Sequence, residues 1–520
     1  MTTDDVKINQ NADTDGTGFI LGVDLGDAAS AIAYYDVNRR SPEIIDLSGG
    51  YGKPAMPTVT QYIPETGEWV FGEYAVLNRG GRETTLASLP DKLGKDAFID
   101  VAGKTADIPW LLSLYIKELV GNCKNIDPKA KIDGIAVSVP EFLSEKALSD
   151  LKKAFALAGY EDDIVGYVPE KDCLLTRYLS DGPGADERVV ILDYGSREMR
   201  GGVYDIGQTG GGAVIKTMAL LHDDRLGAAR LDESVNKFFT SLYESGCPDK
   251  KISRAAESAL SSFTYQHKDL LFQKNILKRP VKLYYNFTYP PLQKSVDRYA
   301  ASKLSYPFER DFDAFIRTLL SKNLADMGEA IGAQSIGAVI LCGGGFGMLW
   351  AKEAVMRAFP GARIVMNKNA KCAAAEGASL VAAIRLGAVK TRGVSVEDKL
   401  KLKYDFGVVI KKDKTDKYLP VVEKNAYWWQ DRFSVDFLVN EAVDGDVDMD
   451  IYRRDGNNFG LLQTLRLKGL PGRPKGATRL NMAVEFINFD TFNIKFKDLG
   501  FGSLYPASRY KQDFTVALND

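Results

Sequence analysis

Two similar stretches of sequence decide the fold: FILGVDLGDAASAIAYYD at residues 19–36 and VVILDYGSREMRGGVYDI at residues 189–206. In each stretch, a short apolar run ends in an aspartate that is followed two positions later by glycine, and a second strand-like run comes next. This pattern predicts a strand, a tight glycine turn and a returning strand. The repetition predicts two related α/β halves within one large unit.

Around these hairpins, strand-like runs alternate with helical patterns. The run GIAVSVP at residues 134–140 is typical of a buried strand, and residues 143–160 show apolar residues at helical spacing. Ser144 is the expected cap of this helix, and Gly159 is its expected end. Further signals are helices between residues 230 and 330, a strand at 338–342, and helices at 349–359 and 372–387. Alternating strands and helices predict a layered α/β fold.

The pattern changes after Gly387. Residues 389–400 are polar and charged, and they are predicted to link two domains. From residue 404 onward only strand-like runs separated by turn signals appear. The predicted strands are FGVVI (406–410), RFSVDFLV (432–439), VDMDIY (447–452), LLQTLRL (461–467), RLNMAVEFI (479–487), TFNIKF (491–496) and DFTVAL (513–518). This region is therefore predicted to be an antiparallel β domain, in the form of a sandwich.

Length and composition exclude several classes of protein. The 520 residues are too many for one hydrophobic core, because such cores stop growing at roughly 250–300 residues. Only two histidines, His222 and His267, are present, which argues against histidine-rich metal sites and Ser-His-Asp catalysis. The five cysteines include no C-x-x-C pair, so we expect reduced thiols in the cytoplasm.

Charge and hydropathy limit the partners. The net charge of −2, from 67 basic and 69 acidic residues, does not indicate nucleic-acid binding. Residues 1–17 are polar and acidic, and we expect a disordered leader rather than a secretion signal. No apolar run is long enough to cross a bilayer, so no membrane partner is expected.

The chain resembles the seventy-kilodalton heat-shock chaperones (Hsp70) in segments that follow the family's order. These segments are GVDLG (22–26), KPAMPTVTQY (53–62), VSVPEFLSEKALSDLKKAFALAGY (137–160), VVILDYG (189–195), RLGAARLD (225–232), AVILCGGGFG (338–347), NAKCAAAEGASLVAA (369–383) and the β tail at 465–498. The resemblance implies an actin-like α/β ATPase domain of the duplicated ribonuclease-H type at residues 18–388. A linker at 389–400 and a peptide-binding-like β-sandwich at 401–520 would follow.

The resemblance also implies a site for ATP or ADP with Mg²⁺ between the two halves. Asp24 and Asp193 would hold the magnesium ion through water, and Glu170 and Lys92 would flank the γ-phosphate. Glycine turns let backbone N–H groups approach a triphosphate, and carboxylates suit magnesium. The nucleotide-binding positions implied are Gly26, Asp27, Ala28, Gly195, Ser196, Arg197, Gly227, Gly343, Gly344, Gly345 and Gly347.

Several of these positions depart from the family's pattern. Asp27 and Ala28 replace two threonines, Arg200 replaces a magnesium-associated aspartate, and Gly347 replaces an arginine that stacks on adenine. Besides an active ATPase, two alternatives follow. In the first, Arg197 and Arg200 act as phosphate counter-charges in a nucleotide binder with slow or absent hydrolysis. In the second, the site has lost its nucleotide and the chain is a non-catalytic interaction scaffold with a dedicated protein partner.

By resemblance, the β domain would hold an extended apolar peptide from a protein client, and co-chaperones would be further partners. Its candidate lining residues are Val408, Ile410, Trp428, Trp429, Val435 and Phe437. The alternative for each is a place in the core of the sandwich. The family's helical lid has no counterpart in the sequence, because the chain ends shortly after the last predicted strand, so peptide residence is expected to be short.

Overall fold

The fold is known from a computed structural model of the chain. It describes residues 18–47, 52–77, 84–129, 131–141, 143–182, 186–209, 212–245, 260, 264, 281–285, 292–296, 298–322, 330–366, 370–389, 393–397, 402, 404–412, 415–424, 426, 433–456, 458–488 and 491–517. The chain divides into two compact units. The first extends to Ser395, apart from residues 216–218 and 321–331, and the second comprises these two segments and Val396–Asp520.

The first unit is built from strands and helices that alternate along the chain. Its strands are β1 (Phe19–Asp24), β2 (Ala29–Asp36), β3 (Ser41–Ile44), β4 (Ala55–Pro57), β5 (Val59–Ile63), β6 (Glu68–Phe71), β7 (Thr85–Ala87), β8 (Phe98–Val101), β9 (Lys104–Asp107), β10 (Ile132–Val139), β11 (Ile164–Pro169), β12 (Glu187–Tyr194), β13 (Met199–Thr209), β14 (Gly212–Asp223), β15 (Val281–Tyr285), β16 (Leu292–Val296), β17 (Ala338–Cys342), β18 (Arg363–Val365) and, at its boundary, β19 (Gly393–Glu397). Its helices are α1 (Gly72–Leu77), α2 (Leu89–Lys92), α3 (Ile108–Gly121), α4 (Glu145–Ala158), α5 (Glu170–Ser180), α6 (Ala228–Ser245), α7 (Arg298–Ser321), α8 (Leu349–Ala358) and α9 (Ala373–Arg385).

Two mixed sheets repeat one strand order. The first has the order β11-β10-β1-β2-β3, with β4 also paired to β2, and the second has the order β18-β17-β12-β13-β14-β19. In each, a hairpin (β1-β2 or β12-β13) pairs through its first strand with a parallel strand, and a second parallel strand follows. The hairpins are the two repeated sequence stretches, so the predicted internal repeat is present in the fold.

Helices cover both faces of the first sheet. On one face, β1 and β10 pack with α3 and α4 around a core that includes Leu21 and Phe155. On the other face, the alanine-rich helix α9 lies directly on β1, where a Cβ on Gly22 would come within 2.1 Å of the Ala375 carbonyl oxygen. Helix α9 in turn packs on α5. This close packing sets the position of α5, whose first residue belongs to the candidate site.

Local sequence signals define helix α4 at both ends. The Ser144 hydroxyl accepts a hydrogen bond from the Ala147 N–H, as an N-cap does. Gly159 ends the helix in the left-handed conformation, with φ of 87°. Both predicted caps are confirmed.

The second unit contains two antiparallel sheets that share one core. Its strands are β20 (Asp405–Lys412), β21 (Thr415–Val422), β22 (Phe433–Val439), β23 (Val447–Asp455), β24 (Asn458–Leu467), β25 (Thr478–Asn488), β26 (Thr491–Asp498) and β27 (Lys511–Ala517). The sheet orders are β21-β20-β23-β24 and β22-β25-β26-β27. Phe406 from one sheet and Phe492 from the other belong to a single buried cluster. All seven strands predicted in this region are present, and β21 was not predicted.

Among the residues that the structure describes, no helix combines the length and the apolar character needed to cross a membrane.

Candidate functional site

The first unit brings the three carboxylates that were predicted to handle magnesium and phosphate to one place. Asp24 is the last residue of β1, Asp193 lies one residue before the end of β12, and Glu170 is the first residue of α5. The strand before α5, β11, is parallel to β10, which is parallel to β1. Carboxyl ends of parallel strands meet at one edge of a sheet, which is where open α/β sheets bind their ligands.

Arg200 lies in the middle of these carboxylates. It is directly opposite Asp193 across the β12-β13 hairpin. Its Nη2 atom lies 2.5 Å from Asp193 Oδ2 and 2.7 Å from Glu170 Oε2, and only 14% of the side chain is exposed. Among the residues that the structure describes, none forms a hydrogen bond with its buried Nη1 atom. One guanidinium therefore bridges an acid of the second sheet and an acid at the start of α5.

The charges in this cluster depend on one another. Burial, followed by the Asp193 carboxylate, raises the pKa of Asp24 to about 7. Burial also raises the pKa of Glu170 well above its usual value, and Arg200 opposes that rise. Although burial disfavours its charge, the Glu170 and Asp193 carboxylates raise the pKa of Arg200 further. Arg200 thus remains charged, and it favours the ionised form of the buried carboxylates around it.

The turn between β1 and β2, which the resemblance assigns to phosphate binding, carries another acidic residue, Asp27. Burial, followed by the Asp91 carboxylate, raises the pKa of Asp27 to about 6. Arg197 from the other hairpin lies near both acids, with its Nη1 atom 3.0 Å from Asp91 Oδ2. The predicted Lys92 has its Nζ atom 3.6 Å from Asp96 Oδ2. In the structure, Asp27 and Arg197 therefore lie close together, and Lys92 pairs with Asp96.

Polar backbone groups of both hairpin turns are hydrogen-bonded within the protein. The Thr58 hydroxyl donates to the Gly26 carbonyl at 2.6 Å, and the Thr58 N–H donates to the Ala28 carbonyl at 3.0 Å. In the second turn, the Gly195 N–H donates to the Glu198 carbonyl at 3.0 Å.

The start of α6 closes over this second turn. The carbonyls of Gly195 and Ser196 accept from the N–H groups of Ala228 and Ala229. A Cβ on Gly227 would lie 2.2 Å from the Arg197 carbonyl carbon, which shows how closely the two backbones approach.

The predicted glycine run follows β17. Gly343 has φ of +87°, and a Cβ there would lie 2.4 Å from Asp193 Oδ1, so only glycine fits beside that carboxylate. The Lys371 side chain lies against Gly344, and the Tyr194 ring lies against Gly345. Gly347 faces open space. The start of the run therefore packs against the carboxylate cluster, whereas Gly344 and Gly347 are exposed.

A small cavity lies behind Arg200. The residues that line it are Glu141, Glu170, Lys171, Leu174, Ile191, Asp193, Arg200, Gly201, Gly202, Tyr204 and Leu220. It has room for about one water molecule. A nucleotide does not fit in this space, so a ligand of that size would have to bind on the outer side of Arg200.

Two residues of the cluster were not predicted from the sequence. Glu141 follows β10 by two positions, and its Oε1 atom accepts a hydrogen bond of 2.8 Å from the Lys171 N–H. Burial raises the pKa of Glu141. Lys171 is buried, with its Nζ atom 3.0 Å from Asp172 Oδ1. An acid just after a buried strand, on the edge where Asp24 lies, is a signal that could have pointed to Glu141.

The arrangement does not fit a magnesium ion. Asp193, which the resemblance assigns to the ion together with Asp24, is paired with the guanidinium of Arg200, and so is Glu170. In the part of the chain that the structure describes, no group of three or more Asp, Glu, His or Cys side chains is arranged to hold a metal ion. A divalent cation would have to displace Arg200 first.

In the second unit, the candidate peptide-binding residues separate into two groups. Val408 is buried in the shared core, whereas Ile410, Val435 and Phe437 are half-buried and pack at its margin. The remaining two, Trp428 and Trp429, lie outside the described residues.

Comparisons with known proteins place this geometry in context. Residues 401–518 match a model described as "Domain of unknown function (DUF8552)", and residues 41–200 match one described as "Family of unknown function (DUF5716) C-terminal". The chain is 23% identical over 507 residues to the chaperone protein DnaK of Thermotoga petrophila, covering 95% of this chain and 81% of that protein. It is 21% identical to the DnaK of Thermosipho africanus over 495 residues, 93% of this chain and 78% of the relative.

This similarity supports a distant relationship to the Hsp70-type chaperones. The DnaK of Thermosipho melanesiensis shows the same extent of similarity, with 22% identity over 498 residues. Because these alignments span both units, the relationship to DnaK covers the carboxylate cluster and the β unit alike. It supports a chaperone-type function.

Proposed function

We propose that this protein is an Hsp70-related scaffold of the chaperone type that binds polypeptide without hydrolysing ATP. Its actin-like domain at residues 18–388 supports a β-sandwich at residues 401–520, and residues 389–400 link the two. A single observation supports the absence of ATP hydrolysis: the Arg200 guanidinium is paired with both Asp193 and Glu170. The relationship to DnaK supports the chaperone part. The cytoplasmic location stays a prediction.

Arg200 opposes metal binding in two ways. Its positive charge repels a second cation at the same carboxylates. Displacing it would also leave a largely buried guanidinium without its counter-charges, and breaking a buried ion pair costs about 3–5 kcal/mol. A magnesium–nucleotide complex would have to supply this free energy before it gained any affinity.

Two further features oppose ATP hydrolysis. Phosphoryl transfer relies on a metal ion and on positive side chains that stabilise the charge of the transferring phosphoryl group. Lys92, the lysine expected there, lies beside Asp96, whereas the Asp27 carboxyl lies at the first loop. An ionised carboxylate about 4 Å from a phosphate costs on the order of 4 kcal/mol at an effective dielectric constant near 20.

One observation favours a second function, which is metal-independent nucleotide binding. The Arg197 side chain is 49% exposed, and it pairs with Asp91 near the first loop. A guanidinium in this position matches the oxygens of a phosphate group, which would compete with Asp91 for it. In this version ATP or ADP binds without magnesium and is not turned over efficiently.

Calorimetric titration of the full chain with ATP, with and without magnesium, separates these functions. The scaffold predicts no binding heat in either titration, and the second function predicts heat that does not require magnesium. Magnesium-dependent binding together with phosphate release would contradict both.

A variant tests the role of Arg200 directly. Arg200→Asp removes the guanidinium and should let magnesium alone raise the melting temperature, which it should not do in the parent chain. Arg188→Asp is the matched control, because Arg188 pairs with Asp205 at the other end of the same hairpin. If magnesium has no effect on the folded Arg200→Asp chain, Arg200 is not what keeps the metal out.

Polypeptide binding by the β unit is tested with a panel of extended apolar peptides. Phe437 is half-buried on the inner side of β22, whereas the adjacent Leu438 is 48% exposed on the outer side. Phe437→Ser should lower peptide affinity at least 10-fold, since burying such a side chain contributes roughly 1.5–3 kcal/mol. Leu438→Ser should not change it. Failure of every peptide to bind the parent chain would exclude this function.

A further inference from the structure

The loop between β26 and β27, residues 499–510, is held in one conformation by a buried ion pair. Arg473 and Asp498 have exposed side-chain fractions of 4% and 0%, and two hydrogen bonds of 2.8 and 2.7 Å join them. Asp498 also accepts from the N–H groups of Gly500 and Ser508. Arg473 donates a further hydrogen bond to the Pro506 carbonyl. Both ends of the loop are therefore fixed to the same pair.

This fixed loop presents large apolar side chains to solvent. Leu504 is 85% exposed and Phe501 is 47% exposed. The Phe501 N–H donates to the Tyr505 carbonyl at 2.6 Å, which closes the loop into a hairpin. We call Phe501 and Leu504 the apolar tip. Because the loop is ordered before it meets a partner, little conformational entropy is lost when the tip is buried.

Basic side chains surround the base of the same loop. Lys497 precedes the loop and Lys511 follows it, Arg509 lies within it, and the Arg479 carbonyl accepts a hydrogen bond from the Leu499 N–H. All four side chains are exposed. None of them forms an ion pair with any residue that the structure describes. We call these four residues the basic rim.

The basic rim contains an unfavourable pair. Lys497 and Lys511 lie directly opposite each other on adjacent strands, on the outward face of the sheet. Like charges in this position destabilise a sheet. The neighbouring row on the same face is neutralised, because Lys495 lies opposite Asp513 and pairs with Glu485. The excess positive charge is thus confined to the end of the sheet where the loop leaves it.

We propose that this end of the β unit docks on the surface of an anionic lipid bilayer. The apolar tip enters the boundary between headgroups and acyl chains, and the basic rim contacts the headgroups. Apolar residues beside lysine and arginine are the combination that binds such surfaces, and each basic residue near an anionic leaflet adds to the attraction. An acidic polypeptide would neutralise the rim but has no part that takes up the tip.

The proposal does not depend on how the carboxylate cluster works. It differs from the sequence-based expectation of no membrane partner, which rested on the lack of a run long enough to span a bilayer. A surface contact needs no such run. The whole-chain net charge of −2 also gave no indication of a local basic rim.

Co-sedimentation of the full chain with vesicles tests the proposal. The chain should bind vesicles of equal parts phosphatidylglycerol and phosphatidylcholine, and it should not bind vesicles of phosphatidylcholine alone. Lys497→Gln with Lys511→Gln should weaken binding roughly 30-fold, from the contribution of two basic residues. Leu504→Ser should weaken it at least 10-fold, from the lost burial of one apolar side chain. Binding should also fall as salt is added.

Matched variants serve as controls. Lys117→Gln with Lys124→Gln removes two exposed charges from the first unit, and Leu461→Ser removes a side chain that is 56% exposed on β24. Both should bind the acidic vesicles as the parent chain does. The proposal is wrong if the parent chain does not bind them, or if the rim variant binds equally well. It is also wrong if only the charges matter and poly-glutamate competes fully, since that result identifies an acidic polypeptide as the partner.

Discussion

At the scale of single residues, one guanidinium determines the charge balance of the candidate site. Arg200 contacts two carboxylates that would otherwise repel each other, and both are largely buried. A bound metal ion would bring its charge from solution, whereas Arg200 is part of the chain and is always present. The site therefore contains a counter-charge whether or not a ligand is there.

Replacing Arg200 with methionine should destabilise the protein by about 3–5 kcal/mol, because it leaves Asp193 and Glu170 buried and unpaired. Urea unfolding at pH 7 measures the loss. Arg188→Met is the control, since the Arg188 pair with Asp205 is more exposed and should contribute about 1 kcal/mol or less. Equal losses for the two variants would mean that Arg200 is not an essential counter-charge.

Asp27 gives a prediction with a defined pH dependence. Burial, followed by Asp91, raises its pKa from 3.8 to about 6, so the folded state holds the proton more tightly than the unfolded state. The stability that this contributes is present below pH 3.8 and is lost as the pH rises through about 6. Asp27→Asn should therefore stabilise the protein by about 3 kcal/mol at pH 8 and have little effect at pH 3.5.

Urea unfolding at the two pH values measures this difference. The exposed Asp224 supplies a control, and Asp224→Asn should change stability equally little at both. A gain that is the same at pH 3.5 and pH 8 would show that the Asp27 carboxyl is not held at a raised pKa in the fold.

At the scale of elements, local sequence signals identified the two repeated hairpins, helix α4 and seven of the eight strands of the β unit. Helix α4 has a serine cap and a terminal glycine, and the strands of the β unit alternate between inward and outward residues. The one strand of the β unit that was not predicted among the described residues, β21, is at the edge of its sheet and contains Pro420. Proline is tolerated in an edge strand but weakens the sequence pattern of a strand.

The loop at residues 499–510 depends on Arg473. Replacing it with methionine leaves Asp498 buried without its partner, and the expected loss of stability is about 3–5 kcal/mol. Hydrogen exchange gives a local measurement, because the Gly500 and Ser508 N–H groups donate to Asp498 and should lose protection. Arg466→Met, at a position that is 61% exposed, should leave both protected. Unchanged protection in the Arg473 variant would show that the ion pair does not hold the loop.

At the scale of the whole molecule, the sequence located the carboxylate cluster but not its charge balance. Asp24 and Asp193 follow from the repeated strand ends, which are visible in the sequence. The position of Arg200 opposite Asp193 depends on the register of a hairpin, and its contact with Glu170 depends on how α5 packs. The contacts of Lys92 with Asp96 and of Glu141 with Lys171 could not be predicted for the same reason. Side-chain direction is set by tertiary packing, which a linear pattern does not contain.

The cysteines give a prediction for the chain as a whole. Five are present, and the four that the structure describes, Cys123, Cys173, Cys342 and Cys372, are all buried. Burial raises the pKa of each of these thiols, reaching about 12 for Cys123 and Cys372. The thiolate is the reactive form, so the four should react slowly with Ellman's reagent at pH 8, and all five should react at once in denaturant.

Cys247 lies outside the described residues and is the fifth thiol. The native Cys247→Ser chain should therefore show no fast-reacting thiol at pH 8. A fast phase in that variant would mean that one of the four buried thiols reaches solvent in the native protein. Cys342 and Cys372 would then be replaced in turn, because they flank the carboxylate cluster and would report opening of that region.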